Sequence, residues 1–224
     1  LGAYTVGILS SLGVFSGWVH LVCTAFITIL IATPLSWVAL RTQGIAFIMI
    51  TLAFAQLFYY VFVSLKMFGG DDGISLKQLS DFGVLTGNKF AIYISLLMAL
   101  FLSIWVMHKI VASQFGLLLR ASKTNNRRVK ALGSHTLTYR MTAYVISALL
   151  CALAGFFLAN LTGFVSPAMM TWSISGELIV MVLLGGVGSV FGPIVGAVAF
   201  LLTEEGLKLL TERSEEHTSE LQSP

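Results

Sequence analysis

Four apolar runs, near Trp18–Leu40, Gly44–Leu65, Phe90–His108 and Met141–Leu161, limit what this chain can fold into more than any other feature. Each reaches the roughly 20 residues that a helix rising about 1.5 Å per residue needs to cross a hydrocarbon core about 30 Å thick. Within lipid, only helices and closed barrels satisfy every backbone donor and acceptor internally. A barrel strand would be a segment of about ten residues with apolar and polar side chains alternating, and these runs are apolar all round. The residues therefore predict an all-α, polytopic transmembrane helix bundle. The charge content agrees: 10% of residues are charged, against about 25% in an ordinary soluble domain.

Orientation comes from the run between the third and fourth spans. Lys109 to Arg140 carries seven Lys or Arg and no Asp or Glu, and loops of that kind stay on the cytoplasmic side during insertion. Phe90–His108 then runs inward and Met141–Leu161 outward. The segment Lys66–Lys89 lies outside; its three Lys and three Asp carry no positive bias. Working backwards, Gly44–Leu65 runs outward, Arg41 marks a tight inner turn, and Trp18–Leu40 runs inward. Trp18, Trp37, Trp105 and Trp172 all fall near expected interfaces, as aromatic belts do.

Both ends depart from this pattern. Leu1–Leu12 is apolar but too short for a span, and reads as the end of one whose earlier part is missing. Arg213 to Ser223 is similar to one reading frame of a common sequencing-library adapter. Residues 1–212 are therefore read as a partial transmembrane domain and 213–224 as an adapter-like, non-native tail, expected to be disordered. Leaving out the tail's one basic and three acidic residues raises the formal net charge from +3 to +5.

Beyond Pro167 the pattern is interrupted. Met169–Leu184 is apolar but short, Gly185, Gly186, Gly188, Gly192 and Pro193 break it, and Ile194–Leu210 resumes. Two short helices with a tight inner turn fit this pattern, as does a backbone that re-enters the membrane beside a cavity. Ala143, Ser147, Cys151, Gly155 and Ala159 recur every four residues, which predicts a groove where another helix backbone approaches closely. Gly192 and Gly196 form a Gly-x-x-x-Gly pair of the same kind.

Inside the basic run, Phe115-Gly116-Leu117-Leu118-Leu119-Arg120-Ala121 leads into Asn125-Asn126-Arg127-Arg128-Val129-Lys130-Ala131-Leu132-Gly133, good helix formers followed by a glycine where a C-cap would fall. A short surface helix held between two spans fits this pattern and would transmit movement to the bundle. A solvated loop whose charge serves topology alone fits it as well. On the outer side, Gly69-Gly70-Asp71-Asp72-Gly73 places two carboxylates on a flexible turn that could meet a binding protein, an amino group or a cation, or could be a polar turn only. Thr51, Gln56 and Glu177 lie in or beside spans, where polar groups are costly enough to suggest a pathway. Interhelical hydrogen bonding explains Thr51 and Gln56 equally well, and a helix-start position explains Glu177.

An ordered series of short motifs then carries a resemblance. Leu40-Arg41-Thr42-Gln43-Gly44-Ile45, Ile50 to Gln56, Gly69 to Ile74, Phe115-Gly116, Ala131-Leu132-Gly133, Ser147 with Ala154-Gly155, Gly163 to Pro167, Ser175-Gly176-Glu177-Leu178 and Leu184 to Gly188 resemble the LivM-type permease subunits of branched-chain amino acid ABC importers. The resemblance extends to about residue 208. It implies an inner-membrane, multi-pass subunit that pairs with a homologous permease, two cytoplasmic ATPases and an external substrate-binding protein, and moves branched-chain or other hydrophobic amino acids. Urea or short amides as cargo, or an autonomous channel or secondary transporter, are the alternatives, and a membrane-anchored scaffold is a third class. Phe115, Gly116, Arg120, Asn126, Arg127, Arg128, Ala131, Leu132 and Gly133 would form the ATPase-coupling segment, and Gly70, Asp71, Asp72 and Gly73 the outer contact. Such permeases often carry Arg where Leu117 stands and an acid where Asn126 stands. They usually begin with further spans and end with one more, which implies a chain shortened at both ends.

Other chemistries lack their residues. No Gly-x-x-x-x-Gly-Lys-Ser/Thr phosphate loop occurs, so ATP and Mg are expected on partner subunits and no cofactor in this chain. His20, His108, His135 and His217 have no ligand spacing, Cys23 and Cys151 sit within apolar runs, and no metal, catalytic group or nucleic-acid partner is expected.

Overall fold

The computed structural model describes residues 1–76, 80, 89–188 and 190–220. The chain divides into two compact units, Leu1–Thr171 and Trp172–Pro224.

The first unit is built on the four expected spans. They form helices α2 (Gly17–Ala39), α3 (Ile45–Ser64), α4 (Lys89–Ala112) and α7 (Thr136–Thr162), with α1 (Gly2–Ser11) ahead of them. Two further helices, α5 (Gln114–Thr124) and α6 (Asn126–Ala131), lie between α4 and α7. The distribution of side chains is inside out by the standards of a soluble protein. On α2 the buried face is Gly17, His20, Thr24, Thr28, Ala32, Ser36 and Ala39, while Val22, Phe26, Leu30 and Trp37 are exposed. Water would penalise that arrangement, but lipid tails are as apolar as leucine, so helices gain by bringing small and polar residues together. The hydroxyls of Thr28 and Thr33 donate to the carbonyls of Thr24 and Ile29, each at 2.7 Å, so neither is left unmet.

Helices α1, α2 and α7 form the packed centre. Tyr4, Val6, Phe156, Ala159, Val165 and Ile74 bury together. The approach of α1 to α7 is close enough to require glycine: a Cβ on Gly2 would lie 2.1 Å from the Ala152 carbonyl oxygen, and one on Gly155 would lie 3.1 Å from the Ala3 nitrogen. The small-residue groove on α7 is used at this end only. Ala159 is buried and Gly155 half-buried, whereas Ser147 and Cys151 are exposed. α1 covers one end of this groove.

Two short outer segments pair as strands. β1 (Ile74–Ser75) runs antiparallel to β2 (Phe164–Val165), with Ile74 opposite Val165 and Ser75 opposite Phe164. The buried pair Ile74 and Val165 faces the core, and this fixes the register.

The second unit is a helical hairpin of α8 (Trp172–Gly185) and α9 (Gly192–Glu220). The glycine-rich break separates two helices that pack together. Gly185, Gly192 and Gly196 allow the contact: a Cβ on Gly185 would fall 1.7 Å from the Gly192 oxygen, and one on Gly196 would fall 1.9 Å from the Met181 oxygen. The backbone of α9 is helical to Glu220. Extending an existing helix adds one hydrogen bond per residue fixed, and Glu, Leu and Lys near this junction are good helix formers.

Candidate functional site

The inner face of the first unit carries the basic segment, and its form corrects the expectation of one helix. Two helices are present, broken at Asn125, whose extended backbone (φ −150, ψ 91) ends α5 and starts α6. Each has its own N-cap. Ser113 Oγ accepts from the Gly116 N–H at 3.5 Å, and Asn125 Oδ1 accepts from the Arg128 N–H at 3.1 Å. Serine and asparagine are favoured at N-caps because their side chains satisfy otherwise orphaned amides. Leu132 closes α6 and Gly133 follows with φ 82, a left-handed conformation suited to glycine.

These helices are held against the spans and not suspended in solvent. A Cβ on Gly116 would lie 2.4 Å from the Val111 oxygen, so α5 crosses the end of α4 at backbone distance. The Phe115 ring meets that of Tyr139 on α7 at 5.8 Å between centroids, and the Arg120 guanidinium donates to the Val111 carbonyl. Val129 is the buried residue of α6. Arg127, Arg128, Lys130 and Ala131 point outward, and Leu132 is 84% exposed. Among the described residues none of these cations pairs with a carboxylate. The site is thus a cationic platform with an apolar knob, mechanically tied to α4 and α7. Asn126 Oδ1 is buried without a partner among the described residues, an unmet acceptor at the start of α6.

On the outer face, Lys66–Phe68 and Gly70–Asp72 form single 3₁₀ turns. Gly69, Gly70 and Gly73 all take positive φ. A Cβ on Gly69 would meet the Gly73 oxygen at 1.9 Å, and one on Gly73 would meet the Val165 oxygen at 2.5 Å. The glycines therefore wind the segment tightly and seat it on the Gly163–Pro167 loop, leaving Asp71 and Asp72 exposed at the tip. Two motifs ninety residues apart in sequence form one outer structure.

A third cluster was not anticipated. His20 Nδ1 lies 2.7 Å from Ser80 Oγ, and its Nε2 lies 2.8 Å from the Val14 carbonyl oxygen. The Ser80 N–H donates to Asn160 Oδ1 at 2.9 Å, and Asn160 Nδ2 donates to the Phe156 carbonyl at 2.9 Å. Thr5 and Thr24 hydroxyls meet at 2.6 Å nearby. This buried network ties the outer ends of α2 and α7 to the external segment. The polar one-per-turn stripe on α2 (His20, Thr24, Thr28, Ser36) is the sequence signal that could have located its α2 members.

The remaining candidates are dispersed. Thr51 donates to the Phe47 and Ile48 carbonyls of its own helix at 3.1 and 2.9 Å, and Gln56 is half-buried on α3, which has no fully buried residue. In the second unit Glu177 is exposed near the start of α8, on its second turn. The first unit does not bring Thr51 and Gln56 into the buried polar network.

Four membrane-length apolar helices and a positively charged inner platform define a multi-pass membrane protein. The chain belongs to the family described as "Branched-chain amino acid transport system / permease component", whose model matches residues 1–222. It is 25% identical over 239 aligned positions to the high-affinity branched-chain amino acid transport system permease proteins LivM of Salmonella typhimurium and Escherichia coli, covering 96% of this chain. The chain spans 56% of the length of these curated relatives. No solved structure matches.

Proposed function

We propose that the whole protein is the permease subunit of an ATP-binding-cassette importer that moves branched-chain or other hydrophobic amino acids into the cytoplasm, and that it is no enzyme itself. The observation that carries this reading is the α5–α6 platform, capped at both helix starts and clamped between α4 and α7. A force applied to Arg127, Arg128 and Leu132 by a cytoplasmic ATPase would be delivered to two spans at once. Membership of the permease family supports it, as do the printed names of the relatives. On this reading ATP and Mg are bound by two partner ATPases, a homologous permease completes the membrane pore, and an external substrate-binding protein docks near Asp71 and Asp72.

Full-length protein co-purified with these partners and reconstituted in vesicles tests the proposal. The expected result is leucine, isoleucine or valine uptake that requires ATP and the binding protein. Flux driven by an ion gradient without ATP would overturn it, and ATP-dependent uptake of urea without leucine would overturn the substrate class.

A further inference from the structure

A cavity of about 220 Å³ lies between the inner ends of α4 and α7, beneath α5. Met107, Ile110, Leu119 and Ile146 supply apolar wall, and Arg120 and Ser147 are its polar members. Apolar cavities of about 150 Å³ already take up small hydrocarbons, so a space of this size and lining suits a section of acyl chain better than ordered water.

Its rim is cationic. Arg120 is anchored there by its bond to the Val111 carbonyl, which leaves most of the guanidinium's five donors for another ligand. Arg140 lies three residues before Ala143 and seven before Ser147, both cavity residues, and so shares their face of α7. Lys109 follows on the end of α4, with its ammonium 5.8 Å from the centre of the Trp105 ring, within cation–π range. No Asp or Glu lies between residues 109 and 140 to neutralise this rim. Cationic pockets between transmembrane helices on the cytoplasmic side favour anionic lipid headgroups.

We propose that this cavity is a binding site for an anionic phospholipid of the inner leaflet, its phosphate held at Arg120 and Arg140 and part of an acyl chain inserted beside Ser147. The bound lipid wedges the inner ends of α4 and α7 directly under the α5–α6 platform. This inference stands on the cavity, the charge and the side of the membrane, and does not require the importer reading.

The test uses full-length protein incorporated in phosphatidylcholine bilayers containing phosphatidylglycerol, then extracted in mild detergent, with retained lipid counted by native mass spectrometry. Wild type is expected to retain phosphatidylglycerol in preference to phosphatidylcholine. Arg120→Gln with Arg140→Gln should lower that retention about thirtyfold, the effect of losing two attractions to an anionic headgroup. Ser147→Phe should lower it by filling the cavity, while Lys66→Gln, loss of a single cation on the outer side, should not. Equal retention of the two lipids by wild type, or undiminished phosphatidylglycerol on the arginine variant, overturns the proposal. If Ser147→Phe elutes as aggregate, the arginine variant decides alone. Loss of the lipid from wild type on assembly with a second permease subunit also overturns it, since a protein helix would then occupy the cavity.

Discussion

Asn125 is the residue on which the form of the inner platform turns, and replacing it with alanine gives a measurable consequence. α6 is six residues long, about half the length at which an isolated helix becomes even marginal in water. It persists because Val129 is buried, because Gly133 permits the turn that ends it, and because Asn125 Oδ1 satisfies the Arg128 amide at 3.1 Å. Replacing an N-cap asparagine by alanine costs about 1 kcal/mol, which is about a fivefold increase in the population of locally opened α6. Hydrogen exchange measured by mass spectrometry on the full-length protein in lipid nanodiscs reads that population directly when closing is fast. Amides of residues 127–132 are expected to exchange about five times faster in Asn125→Ala, whereas α4 and α7 keep their wild-type rates. Asn125→Asp, which can still accept the bond, should behave as wild type. Unchanged exchange in α6 would refute the capping argument. An increase spread across α4 and α7 would refute the view that α6 opens as a local unit.

Other expected outcomes follow from the same geometry. Arg127→Glu with Arg128→Glu should uncouple ATP hydrolysis from uptake while leaving membrane insertion intact; normal transport by a correctly inserted variant would sink the docking role. Ser75→Cys with Phe164→Cys should form a disulfide on the outer side under mild oxidation, because directly opposed residues of an antiparallel pair stand about 4.5–5.5 Å apart between Cα atoms, within disulfide range. Failure to cross-link would show a different register. His20→Ala strips partners from Ser80 Oγ and the Val14 carbonyl, each buried acceptor or donor left unmet costing about 1–3 kcal/mol. A fall of about 4 °C or more in the thermal midpoint is expected, and an unchanged midpoint would mean that the network contributes nothing to holding the outer ends together.

Much of the fold was legible because transmembrane helices are local objects. Hydrocarbon imposes a length and forbids unsatisfied backbone, so apolar runs alone located α2, α3, α4 and α7 to within a few residues. The charge of residues 109–140 oriented them by a rule that also needs no tertiary contact. The inner platform was half legible. Helix formers and Gly133 pointed to helix, but the break was missed because Asn125 reads as an ordinary member of a polar run until its side chain is seen capping Arg128. The outer turn was legible as a turn, since Gly and Asp supply the required backbone freedom. That it would be stapled to Phe164 and Val165 was not, because strand pairing of two-residue segments leaves no periodic trace.

By itself, then, the sequence determined what depends on each residue's own solvent and near neighbours: number, length and direction of the spans, the inner position of the cations, and the turn positions reserved for glycine. Only the tertiary structure decided which polar groups meet. His20, Ser80 and Asn160 are separated by 60 and 80 residues, and each alone is a polar side chain with many possible partners. Folding selects among them because an unmet donor or acceptor in a water-free interior costs more than one exposed to water, and that selection exists only once α2, α7 and the external segment have been brought together. The same holds for the small-residue groove of α7, whose spacing marks where a helix can approach but not how much of it one will cover.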